Sequence, residues 1–244
     1  MALGTWLAAR RGHALVAVTL SAVGVVAAIV AACILRESTT GGANALIALT
    51  SSTIAWSAGM ALAFLSGMRA IFRDQEEGVL ALVRIRGIST MQYARGRAGG
   101  LALVLATVVG GSTLAASLAI AFVTGRTSSH LPAIAGALAY ALAFSVTMGP
   151  LAIATLGGRT RTGGYLCLVL ALFVPEMLSS WTVEALPAGW SELTSIPAAL
   201  AAARAGVTSP LANAAPLLRA LTALAFIIAV SLMVIATRIR RARE

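Results

Sequence analysis

The chain contains no lysine, and only two histidines and two cysteines among its 244 residues. Each scarcity removes a class of chemistry. Without lysine the phosphate-binding pattern GxxxxGK[ST] cannot be built, so any ATP-driven function requires a nucleotide site on another chain. His13 and His130 are expected at opposite membrane faces, and neither HExxH nor GxSxG occurs, so no hydrolytic constellation is legible. Cys33 and Cys167 each sit inside an apolar run with no CxxC or Cys/His spacing. Metal and disulfide chemistry are therefore not expected, and both cysteines read as packing residues. Charge is scarce as well. Charged residues make up 11% of the chain, against about 25% in soluble domains.

What is abundant is apolar surface. Hydrophobic residues reach 59% and the mean hydropathy is +0.92, which places the chain among multi-span membrane proteins. A span needs about 20 mostly apolar residues. Six stretches qualify as candidates: 14–35, 43–68, 98–124, 131–156, 164–181 and 217–237. The first ends in "VAAC", which has the form of a lipoprotein-processing box. At 22 residues, however, Ala14–Leu35 exceeds the about 7–15 of a signal-peptide core and reads as a span.

The net charge is +10. The arginines flank the apolar runs, so they report topology rather than nucleic-acid binding. With the N-terminus inside, only Arg36, Arg126, Arg204 and Arg219 of the 18 arginines fall outside. This asymmetry predicts an all-α membrane protein with six spans, both termini cytoplasmic. Leu3, Trp6, Leu7 and Arg10 share helical spacing and predict a short interfacial helix before the first span. The last connection, 182–216, holds Pro187, Pro197, Pro210 and Pro216. It is too broken for a span and too apolar for a solvated loop, which predicts short broken helices at the outer interface.

Two features stand out from this frame. The first is the connection 69–97, which contains Asp74, Glu76 and Glu77, three of the eight acids in the chain. Read as one helix, it places Arg73 and the acids early and Arg84 and Arg86 late, an order that complements the helix dipole. Val79, Leu82, Val83 and Arg86 make a mostly apolar stripe. Gly78 lies between the acids and the stripe, Gly87 is a terminator, and Ser89 with Gln92 has the form of a capping box. An amphipathic helix with both charge signs suits docking into the groove of a partner protein. The second feature is Glu176, a carboxylate inside the fifth apolar stretch. An intramembrane ionisable group is a candidate gate, cation-binding group or proton carrier. Its position five residues before Trp181 also allows it to reach the outer interface.

The stretch "IFRDQEEGVLALVRIRGISTMQYARGR" resembles the cytoplasmic segment of type-2 ABC exporter permeases, with Asp74, Glu76 or Glu77, Gly78 and Leu80 matching an acidic-glycine signature. "LGGRTRTGGYLCLVLALFVPEM" is similar to the fifth-span region of the membrane subunit of the haem-related exporter of cytochrome c maturation, a branch from which Glu176 departs. The resemblance spans roughly Ala55 to Trp181. It implies a non-enzymatic, multi-pass permease of the bacterial inner membrane. It further implies that the permease pairs with a second permease, identical or related, and docks two ABC ATPase subunits that carry ATP and Mg. By position, Arg73, Asp74, Glu76, Glu77 and Gly78 would lie at or near the ATPase contact, and Arg84 and Arg86 at the far end of the same coupling segment. No cofactor is expected on this chain, and no nucleic acid; membrane lipids surround it. The residues themselves leave two other classes open. One is an ion- or proton-coupled secondary transporter using Glu176. The other is a non-transporting membrane scaffold.

Overall fold

In lipid, every backbone donor and acceptor must be satisfied within its own segment, which selects helices. The computed structural model, which describes residues 13–34, 40–125, 127–158, 160–182 and 190–241, is helical throughout, with no strand among the described residues. The chain opens with α1 (His13–Ile34) and α2 (Thr40–Ile54). A π-helical turn, Ala55–Gly59, carries α2 into α3 (Met60–Gly67). Two short helices follow, α4 (Ala70–Glu76) and α5 (Val79–Ile85). Next comes α6 (Thr90–Leu105), joined through a second π-turn, Ala106–Gly110, to α7 (Gly111–Val123). The remainder is α8 (Leu131–Leu156), α9 (Arg161–Thr182), α10 (Trp190–Thr194), α11 (Ile196–Thr208) and α12 (Ala214–Arg241).

Five helices are long and apolar enough to cross a membrane: Leu15–Ile34, Gly41–Glu76, Thr90–Val123, Ser128–Leu156 and Ala214–Arg241. They make this a multi-pass membrane protein. The stretch expected as a fifth span falls in α9, whose described apolar part, Thr162–Leu178, is shorter. The whole of α9 counts 22 residues, which at ~1.5 Å per residue runs to about 33 Å, comparable to the roughly 30 Å hydrocarbon core. Thr90–Val123, at 34 residues, runs to about 50 Å, well past the core, whereas Gly41–Glu76 counts 36 residues but turns at Arg69. The expected N-terminal interfacial helix lies outside the described residues. The expected short broken helices of the last connection are α10 and α11.

The bundle is organised around α8. Half of its most apolar window is buried inside the protein, against 22% for α1. It touches α2, α3, α6, α9, α11 and α12, whereas α1 packs chiefly on α7 and α2. Close approach to α8 depends on missing side chains. A Cβ on Gly149 would sit 2.9 Å from the Ala102 backbone nitrogen, and one on Gly136 would sit 2.5 Å from Thr208 Cγ2. The small residues around Gly136 therefore serve packing within the chain. Leu15, Val23, Val26 and Ile34 on α1 are exposed, as a lipid-facing surface should be. Cys33 and Cys167, expected as packing residues, are free and exposed. A thiol behaves as a small hydrophobe, so an apolar outer face accommodates it.

Candidate functional site

The charged connection does not form one helix. The chain turns sharply at Met68 and Arg69, and Arg69, with φ 55°, is the one non-glycine in the left-handed region among the described residues. That conformation costs roughly 1–2 kcal/mol for an ordinary residue. The turn is held because the Arg69 N–H donates to Leu156 O at 2.8 Å and the Phe72 N–H donates to Gly157 O at 3.3 Å. The Arg69 guanidinium lies 4.5 Å from the centre of the Phe72 ring and 3.7 Å from Glu76. Gly78, at φ 72°, then breaks the segment again, so that α4 and α5 are each seven residues long. This corrects the dipole reading. Asp74 and Glu76 occupy the C-terminal turn of α4, where negative charge is unfavourable, rather than the first turn of a longer helix. The left-handed conformation that glycine adopts without steric cost is the reason for the break.

The local signals at the far end were read correctly. Gly87 takes φ 67°. Its N–H donates to Arg84 O at 3.0 Å and the Ile88 N–H donates to Val83 O at 3.1 Å, a Schellman stop. Ser89 and Gln92 form the reciprocal capping box that opens α6.

Tertiary packing sorts the expected site residues into two groups. Asp74 is fully buried. Tyr93 Oη donates to its Oδ2 at 2.6 Å and Arg97 Nε donates to the same oxygen at 3.0 Å. Arg97 is itself only 2% exposed, and its Nη1 and Nη2 have no hydrogen-bond partner, like Asp74 Oδ1. Asp74 thus ties α4 to α6 and is enclosed beneath the surface of this segment. Glu76, Glu77, Arg84 and Arg86 are exposed, and Arg73 and Gly78 are partly buried. The expected stripe is also rotated. Leu80 and Val83 point inward, while Leu82 is 59% exposed and Ile85 81% exposed. The outward surface is two large apolar side chains among four exposed charges. Arg238 joins the same end of the bundle, donating from Nη1 to Thr155 O at 3.3 Å.

Glu176 lies at a second site. It is exposed on α9 and accepts a hydrogen bond from the Ser195 hydroxyl. Ser195 is the N-cap of α11, accepting from the Ala198 N–H at 3.1 Å. A cavity of about 490 Å³ opens beside the carboxylate, walled by Trp56, Met60 and Phe64 on one side, Leu172 and Phe173 on α9, and Pro197 on α11. Trp56 stands in the first π-turn, a feature that recurs at functional sites. Its indole N–H donates to Tyr140 Oη at 2.7 Å, and Arg204 lies 5.0 Å from the Tyr140 ring centre while donating to Ala48 O at 2.8 Å. Arg219 pairs with Glu192 at 2.9 Å. Arg204, taken from sequence as a marker of the outer face, is thus engaged within the bundle.

Sequence reasoning missed Tyr93, Arg97, Trp56 and Ser195. Only Ser195 left a local trace: serine followed two residues later by Pro197 is a helix-start signal. The histidines are not brought together. His130 is buried, with Nδ1 2.7 Å from Asn44 Oδ1 and Nε2 3.2 Å from Thr124 Oγ1, a satisfied structural histidine. No cluster of His, Cys, Asp and Glu suited to a metal occurs among the described residues. No protein-family model, curated protein or solved structure matches the chain.

Proposed function

We propose that this chain is the membrane-spanning permease subunit of an ATP-driven exporter, crossing the membrane six times with both termini inside. The observation that carries the reading is the α4–α5 elbow. Its outer surface offers Leu82 and Ile85 among Glu76, Glu77, Arg84 and Arg86, the composition of a protein-docking site. Its inner surface is tied by Asp74 to Arg97 and Tyr93 on α6. A partner ATPase that grips the elbow would move α4, and the buried ion pair would pass that displacement to α6 as a rigid-body motion. A second permease would complete the translocation path.

The test is co-purification with a partner ABC ATPase. Reversing Glu76 and Glu77 to Arg should weaken association, and more so at low salt if the contacts are exposed. Undiminished co-purification of the double variant would count against the elbow as the dock. A second reading, an ion-coupled carrier, is favoured by one observation, the carboxylate of Glu176 beside an apolar cavity. It requires flux in liposomes holding this chain alone, abolished by Glu176→Gln.

A further inference from the structure

The cavity beside Glu176 lies between helices that are pinned at its two ends and stand apart in the middle. At one end α3 meets α9: the Phe64 and Tyr165 rings stack with centres 5.5 Å apart, and Tyr165 Oη lies 3.5 Å from Met68 Sδ. At the other end α9 meets α11, where the Ser195 hydroxyl donates to Glu176. Between these contacts the space measures about 490 Å³, within the roughly 300–1,000 Å³ of ligand pockets. From Phe64 to Glu176 its walls are apolar, with Trp56, Met60 and Phe64 on one side and Leu172 and Phe173 on the other. The indole N–H of Trp56 is taken by Tyr140. Such walls give water too few partners to hold it, and apolar cavities stay dry. Depth and access name what does enter. Trp56 lies near the middle of the helical run from Thr40 to Gly67, and Leu172 near the middle of α9. The space therefore sits at the level of acyl chains rather than headgroups. Leu172 is only 7% exposed, but Phe173 beside it is 60% exposed, so one wall of the cavity reaches the outward face.

We propose that this cavity binds an acyl chain of a membrane lipid, which enters past Phe173 and lies between α3 and α9. A chain there regains the dispersion contacts that unfilled apolar walls forfeit. Size argues against a helix of a second copy as the occupant. At about 10 Å across and ~1.5 Å per residue, a helix would place only about one turn in 490 Å³. A flexible chain fits a slot that is closed at both ends. The proposal rests on the apolar walls and not on the charge or partners of Glu176. It is also independent of how transport is energised, so it stands apart from the exporter reading.

The test uses the full chain in nanodiscs of phosphatidylcholine brominated near the ends of its acyl chains, compared with nanodiscs of the unbrominated lipid. Bromine quenches tryptophan fluorescence only at close range. Trp6→Phe, Trp181→Phe and Trp190→Phe leave Trp56 as the reporter. A reference protein adds Trp56→Phe and Val23→Trp to these changes. Its tryptophan stands midway along α1 at an outward-facing position and sets the loss of emission that direct chain contact gives. Trp56 should lose as large a share of its emission as this reference. Leu172→Phe and Met60→Phe fill the space from opposite walls. Each should restore most of the Trp56 emission and leave quenching of the reference unchanged. Gel filtration and helical circular dichroism establish which variants fold, and either one that does decides the matter. Trp56 quenching that a folded filling variant does not reduce would overturn the proposal, because the chains would then reach the indole from outside the cavity. So would Trp56 emission that bromine leaves intact, which would put protein in the space, either a second copy or another part of this chain.

Discussion

Asp74 and Glu176 are both carboxylates in a chain with eight acids, and the fold treats them in opposite ways. Asp74 is wholly buried and accepts from Tyr93 and Arg97. Glu176 stays exposed, steadied by Ser195 at the edge of a cavity. A buried ion pair that is well enclosed holds two elements in register but offers nothing to a ligand. A carboxylate at a cavity rim contributes less to the fold than an enclosed one. The same functional group is thus enclosed as a fastener at one site and left at a cavity rim at the other, and the packing around it separates the two.

The contrast can be broken most forcefully at Asp74. Asp74→Ala leaves Arg97 buried without its counter-charge, which should cost about 3–5 kcal/mol, seen as a large drop in the thermal midpoint in detergent. Glu176→Gln should change the same midpoint by less than ~1 kcal/mol, the range of exposed polar substitutions. Equal losses at the two positions would erase the distinction. A double replacement, Asp74→Leu with Arg97→Met, sharpens it. Removing both charges should recover most of the lost stability, because buried pairs are often matched by apolar isosteres. If the chain is the exporter subunit proposed above, it should also uncouple the elbow from α6, and a stable double variant with reduced ATP-dependent flux would separate fastening from folding. At the crossing of α6 and α8, Gly149→Val forces a side chain against the Ala102 backbone and should cost about 1–3 kcal/mol. The smallest effects belong to the caps. Ser89→Ala and Ser195→Ala should each lose about 1 kcal/mol, and Ser195→Ala also removes the hydroxyl that donates to Glu176.

Much of the elbow's local structure was legible from residue order. Gly87, Ser89 and Gln92 act within five positions of one another, and their hydrogen bonds follow from backbone geometry. The break at Gly78 was the missed element there. Glycine is compatible with a helix interior at a cost of about 1 kcal/mol, so its presence alone does not decide between a continued helix and a corner. The partners of Asp74 were not legible. Arg97 stands 23 positions away, beyond any helical repeat. Likewise, Trp56 and Tyr140 are 84 positions apart.

By itself, the sequence determined the solvent and the element type. Its apolar content demands a membrane, and a membrane demands helices. It also determined where helices start and stop when the signal is a cap within a few residues. Only the tertiary structure decided which face of each helix turns inward, why α8 rather than α1 is central, and which carboxylate is enclosed. The physical reason is that in water a buried face is marked by an apolar stripe on a polar helix. In lipid both the core-facing and the outward faces are apolar, so the pattern that would tell them apart is missing. Packing of small residues such as Gly136 and Gly149 takes its place.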